Sequence, residues 1–193
     1  MSDRPQRLIV GISGASGAIY GLRALDIARS AGIETHLVIS RAAVLTLKQE
    51  LGLQKSDLDS RADVIHPTTD IGATIASGSF HTMGMLIAPC SVKTMSEIAT
   101  GVTSSLLSRA ADVALKERRR LVLMFRETPL HLGHLQTMVS LTQMGAIMMP
   151  PVPAFYSKPQ TIDEMVTHTV GRALDLFGIE TGQVKRWAGL NSE

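Results

Sequence analysis

The residues best suited to chemistry stand where an apolar run breaks into glycines. Leu8-Ile9-Val10 leads into Gly11-Ile12-Ser13-Gly14-Ala15-Ser16-Gly17-Ala18, with glycines at i, i+3 and i+6 and two hydroxyls between them. This pattern predicts a strand, a phosphate loop and a helix start. Glycine permits close backbone approach, and the first amides of a helix have no intrahelical acceptor. An anion is their natural occupant. A dinucleotide site needs G-x-G-x-x-G and an acidic residue at the end of the second strand, whereas Thr35-His36-Leu37-Val38-Ile39 ends in Ser40. Neither the G-x-S-x-G of a hydrolase elbow nor the Gly-Lys-Ser/Thr of a P-loop is present. The loop suits one phosphate group, as in a mononucleotide such as FMN, better than NAD. The competing reading is a glycine-rich turn that binds nothing.

Other side chains could join that site. Arg126 follows the apolar run Leu121 to Phe125, a costly place for a cation unless an anion meets it, and its planar fork suits phosphate. Glu127 beside it could orient Arg126 or handle protons, or the two could form a surface ion pair. Ser16 could bind phosphate, relay a proton or cap the helix. Arg109 and Lys116, seven apart on a predicted helix, share one face and could reach one anion or simply solvate the helix. Glu50 reads by default as an exposed helical carboxylate. Tyr156 suits a site rim or packing against Phe155. His131-Leu132-Gly133-His134 has metal-like spacing, but no adjacent carboxylate or cysteine completes a set, so no metal is expected. Cys90 reads as a buried inert thiol, and the ten methionines as core filler.

Strands and helices must alternate to position these groups. Strands are expected at Leu8 to Ile12, Thr35 to Ile39, Met85 to Ala88 (stopped by Pro89), Arg120 to Phe125 and Ala146 to Met149, with a short one at Ala62 to His66. Helices are expected from about Tyr20 to Ala31, Arg41 to Leu51, from Met95, Leu106 to Lys116 and Ile162 to Phe177, with a short one at Ile71 to Ala76. The remainder of the segment from Gln54 to Ser79 reads as irregular. Such alternation specifies a parallel sheet covered on both faces. Ligands then bind at the carboxyl ends of the strands: here Ser13 to Gly17, Ser40, Cys90 to Thr94 and Arg126-Glu127.

Composition narrows the function classes. The chain has 193 residues, 45% of them hydrophobic, enough for one substantial core. A net charge of +2 and few aromatics argue against nucleic acid. A single cysteine excludes an internal disulfide framework. No apolar run is long enough to span a bilayer, and Met1 to Gln6 lacks the apolar segment of a signal peptide. A cytoplasmic protein of one domain, residues 1–193 with a tail from about 178, is the expectation.

Taken together, Gly14-Ala15-Ser16-Gly17-Ala18, Ser40, Pro89-Cys90-Ser91-Val92-Lys93-Thr94, Arg109 to Glu117, Arg126-Glu127-Thr128-Pro129 and Pro153-Ala154-Phe155-Tyr156 resemble the UbiX-type flavin prenyltransferases. The order and spacing match from about Leu8 to Trp187. The resemblance implies a three-layer, Rossmann-like flavoprotein fold with a mostly parallel sheet. It also implies a homo-oligomer, commonly a dodecamer. The implied activity joins the dimethylallyl group of dimethylallyl monophosphate to reduced FMN without metal. The product, prenylated FMN, passes to UbiD-type decarboxylases in ubiquinone synthesis or aromatic acid decarboxylation.

By position, Gly14, Ala15, Ser16, Ser40, Ser91, Val92, Lys93, Thr94 and Arg126 would hold the flavin. Arg109, Lys116, Tyr156 and Arg172 would bind the prenyl phosphate. Ser16, Glu50, Glu127 and Lys116 would carry the chemistry. Trp187 corresponds to a tail tryptophan in some members. Phe125 and Arg120 stand where many members have proline, and neither change removes a functional group. Two rivals are a flavin-dependent cysteine decarboxylase, against which the missing Asn after Pro89-Cys90-Ser91 argues, and a non-catalytic accessory subunit of an aromatic acid decarboxylase.

Overall fold

The structure, a computed structural model, describes residues 5–187 and Gly189; Met1 to Arg4, part of the N-terminal segment assessed above, lie outside it. Six strands form one wholly parallel sheet: β1 (Arg7–Ile12), β2 (Glu34–Ile39), β3 (Val64–His66), β4 (Gly84–Cys90), β5 (Arg120–Phe125) and β6 (Ile147–Met148). Their order is β3-β2-β1-β4-β5-β6. The chain therefore winds outward from β1 in one direction, then restarts at β4 and winds outward in the other. Loops leaving β1 and β4 diverge at that reversal and open a crevice, which is where a doubly wound sheet binds ligands.

Helices cover both faces, as the alternation requires: α1 (Ala18–Ser30), α2 (Arg41–Leu51), α3 (Val92–Thr100), α4 (Leu106–Lys116), α5 (Leu132–Gln143) and α6 (Ile162–Asp175). Successive strand residues point to opposite faces, so each strand feeds two cores. Leu8, Val10 and Ile12 of β1, Leu86 and Ala88 of β4, and Val122 and Met124 of β5 pack with α1, α2 and α6. Ile9, Met85, Ile87, Leu121, Leu123 and Phe125 pack with α3, α4 and α5. Buried on both sides, these strands read as continuous apolar runs rather than alternating ones.

Several expectations are corrected. Strand β4 is not stopped by Pro89. It continues to Cys90 through a register shift between Ile87 and Cys90, the kind of irregularity at which a sheet tolerates a residue without an N–H. The helix expected from Met95 starts at Val92, because Ser91 caps it. Ile71 to Ala76 yields only a 3-10 turn at Thr74–Ala76. Helix α5 was not foreseen: His131 caps it, its ring Nδ1 accepting from the Gly133 and His134 amides, and Gly133 is accommodated in its first turn. Its apolar residues lie on two faces. Leu141 is buried while Leu132, Leu135 and Val139 are exposed, which blurs the one-sided period that marks an amphipathic helix.

Candidate active site

The crevice at the sheet reversal is a cavity of about 780 Å³. It collects the ends of four strands. The β1 loop contributes Gly14, Ala15 and Ser16; β2 leads to Ser40; β4 leads to Ser91, Val92, Lys93 and Thr94; and β5 leads to Arg126 and Glu127. All nine residues expected to hold the flavin therefore line one cavity, together with two expected to carry chemistry, Ser16 and Glu127.

Local chemistry fixes these loops. Ser13 is buried, and its hydroxyl donates to the Pro89 carbonyl at 2.9 Å while accepting from the Ser91 amide at 2.7 Å. One side chain thus ties the end of β1 to the end of β4. Gly14 lies against α2: a β-carbon there would fall 2.4 Å from Cβ of Ala42, so no larger residue lets the loop close. Ser40, Ser91 and Ser105 cap α2, α3 and α4, their hydroxyls accepting from the amides of Ala43, Thr94 and Ser108. Residues from all three caps line the cavity. Three positive helix ends converge on it, and each favours negative charge.

Charged groups complete the lining. Arg126 is exposed, and among the described residues its guanidinium has no ion pair or hydrogen-bond acceptor. The surface ion pair considered for Arg126 and Glu127 does not form. Glu127 lines the cavity, and its Oε1 accepts instead from the Thr128 amide at 3.0 Å. Burial pushes the Glu97 carboxyl up, but hydrogen bonds from Lys93, at 2.5 Å, and Ser104, at 2.6 Å, outweigh this and hold it below its ordinary range. Cys90 is fully buried beneath the loop, and burial raises its thiol far above the usual range, so it stays a neutral thiol.

Glu50 does not line the cavity and is not an idle helical carboxylate. Its oxygens accept from the Gly17 amide at 2.9 and 3.1 Å and from the Ala18 amide at 3.1 Å. The anion at the start of α1 is therefore the chain's own, which corrects the expectation that this helix end awaits a ligand. Ser16 makes no cap; Gly17, in the left-handed region, stands at that position without a side-chain bond.

The four residues expected at the prenyl phosphate also lie outside the cavity. Arg109 stands on α4 one turn beyond the capping Ser105 and pairs with Asp112 at 2.7 Å. Lys116 ends the same helix, about 16 Å farther along than its cap, and pairs with Glu117 at 2.5 Å. Tyr156 meets the ring of His168 edge-on at 5.7 Å, and Arg172 sits one turn from His168 on the same face of α6. Tyr156 and Arg172 thus share a second patch.

Several lining residues escaped the sequence reading, among them Arg41, Thr68, Glu97, Ser104 and Ser105. Ser105 had a signal, a serine directly before an apolar helical run. Thr68 had none, since it comes from the irregular segment between β3 and β4.

A cavity of this size with hydroxyl donors, helix ends and an unpaired guanidinium suits a phosphorylated aromatic ligand. Comparison with known proteins agrees. The family model described as Flavoprotein matches residues 1–174. A curated relative from Neisseria meningitidis serogroup B, "Flavin prenyltransferase UbiX", is 53% identical over 185 residues, 96% of this chain and 98% of the relative. A crystal structure described as AnUbiX (PadA1) in complex with FMN and dimethylallyl pyrophosphate superposes with a TM-score of 0.95 at 46% identity, covering 97% of this chain and all of that one. A dodecameric FMN-dependent UbiX-like decarboxylase from Escherichia coli O157:H7 superposes with a TM-score of 0.92 at 47% identity, covering 95% of this chain and all of that one.

Proposed function

The chain belongs to the UbiX family of flavin prenyltransferases, and from that premise we propose that it joins the dimethylallyl group of dimethylallyl monophosphate to reduced FMN. The observation that carries this reading is the cavity at the sheet reversal, where three serine-capped helix ends meet the unpaired Arg126 beside Glu127. Gly14, Ala15, Ser16, Ser40, Ser91 to Thr94 and Arg126 hold FMN, with its phosphate drawn to the ends of α2 and α3 because Glu50 already fills that of α1.

Bound reduced flavin supplies the electron pair for the new bond. The chain's residues assist departure of the allylic phosphate as the C–O bond breaks: Arg109, Lys116 and Arg172 offset its charge, and Tyr156 donates a hydrogen bond to it. Glu127 takes the proton that the flavin loses as the new bond forms and passes it to the departing phosphate. Breaking an allylic C–O bond in this way needs no metal when cations surround the leaving group.

Those four phosphate residues lie outside the cavity of one protomer, which supports a homo-oligomer, a dodecamer in our reading, in which neighbouring copies complete the site. The exposed apolar face of α5, with Leu132 69%, Leu135 46% and Val139 57% exposed, supports the same assembly. We take the whole chain as one cytoplasmic flavoprotein domain whose product passes to a UbiD-type decarboxylase. No helix among the described residues is long and apolar enough to cross a membrane.

Purified protein incubated anaerobically with reduced FMN and dimethylallyl monophosphate, with no partner present, tests the reading. A flavin product heavier by the dimethylallyl group supports it. Unmodified FMN after complete reduction overturns it in favour of an accessory subunit.

A further inference from the structure

Arg172 lies on α6 with Nη1 2.5 Å from Oδ2 of Asp175. The same carboxylate takes a second guanidinium from outside the helix: Nη1 and Nη2 of Arg186 lie 3.1 and 3.2 Å from Oδ2 and Oδ1. The Asp175 side chain is 10% exposed, against 44% for Arg172 and 63% for Arg186. A fixed acceptor therefore holds two solvent-facing donors.

The segment 179–187, which brings in Arg186, is laid along α6 by more than this pair. Ile179 is buried, and Val184 packs so closely on Gly171 that a β-carbon there would fall 2.7 Å from it. The Lys185 carbonyl lies 3.3 Å from Nε2 of His168, and the Trp187 ring meets Tyr156 edge-on at 5.8 Å. The strap thus runs past Gly171, His168 and Tyr156, over the patch that carries Arg172.

We propose that Asp175 is a positioning residue that aims Arg172 at the prenyl phosphate and anchors this strap, so that phosphate binding and strap docking are coupled through one carboxylate. The coupling rests on the assignment of Arg172 in the proposed function. Asp175 takes one N–H of Arg172 and leaves four of about five donors for a phosphate. Holding the guanidinium in place reduces the rotamer freedom lost on binding. A phosphate monoester brings about −1.5 to −2 charges beside Arg172, so its arrival strengthens the attraction of the cluster for Arg186.

Trp187 is the only tryptophan in the chain, so acrylamide quenching of its fluorescence reads strap docking directly. In the wild-type protein, dimethylallyl monophosphate lowers quenching. Asp175→Asn quenches strongly with or without this ligand. Its KM for dimethylallyl monophosphate rises on the order of tenfold to a hundredfold, while FMN affinity and kcat at saturating donor stay near wild type. Asp175→Glu restores part of both signals, and Arg186→Ala loses the quenching response with a smaller rise in KM. Wild-type quenching or KM in Asp175→Asn overturns the proposal, as does an equal loss of FMN affinity, which would mark a folding role. Wild-type KM in Arg172→Ala overturns the assignment of Arg172 and the coupling together, whereas a raised KM there beside an unmoved Asp175→Asn overturns the coupling alone.

Discussion

The Glu50 carboxylate lies across the amide of Gly17, with oxygens 2.9 and 3.1 Å from its nitrogen, and so pins the loop that carries Ser16 from a different helix, 33 residues away in sequence. An anion at a helix start is favoured by the helix dipole and by the unfilled amides. Replacing Glu50 by Gln keeps an acceptor and removes the charge. The expected loss is about 1 kcal/mol of stability, a fall of roughly 2–4 °C in Tm for a chain of this size. Calorimetric scans of the two proteins measure it, and an unchanged midpoint would show that the contact contributes nothing.

Glu127 lines the cavity and offers Oε1 to the Thr128 amide of its own loop. If it exchanges the proton, Glu127→Gln slows single-turnover formation of prenylated flavin by roughly 10²–10⁴-fold with little change in FMN affinity. Rapid-mixing absorbance under anaerobic conditions reads the rate. Wild-type turnover in the variant would remove Glu127 from proton transfer.

Because Arg126 lines the cavity and Arg172 and Tyr156 sit on a separate patch, their substitutions should separate the two ligands. Arg126→Ala should weaken FMN, and Arg172→Ala or Tyr156→Phe should weaken dimethylallyl monophosphate, by about 1.5–3 kcal/mol for loss of a charge-assisted contact and less for the phenol. Titration calorimetry with each ligand in turn distinguishes them. Losses of equal size for both ligands in every variant would mean that these side chains support the fold instead.

Away from the site, His66 donates to or accepts from His36 at 2.9 Å, in a cluster with Glu34, Arg7 and Asp70. Burial holds the His66 imidazole below its ordinary range, the neighbouring His36 lowers it further, and Asp70 pulls weakly the other way. The unfolded chain then binds more protons than the folded one as pH falls below the ordinary histidine value of about 6.5. The stability is complete above that value and is lost as pH drops through it. The Tm of the wild-type protein should fall between pH 7.5 and pH 5, with a shallower fall in His66→Gln. Parallel curves would remove His66 as the source.

The sequence by itself determined the layers and most of the cavity. Apolar runs broken by glycine, serine and charged residues mark strands that are buried on both faces and end at a ligand, so Ser16, Ser40, Ser91 to Thr94 and Arg126 could be placed at strand ends by local chemistry alone. Only the tertiary structure decided the rest, because those facts depend on residues far apart in the chain. Ser13 joins β1 to β4 across 76 positions, and Glu50 reaches the start of α1 from α2. Thr68 enters the cavity from a segment with no periodic signal. The α5 helix was hidden because its apolar residues serve two surfaces, one inside the protomer and one left exposed on it. Periodicity records how a residue sits in its own element; it carries no record of which distant element the residue will meet.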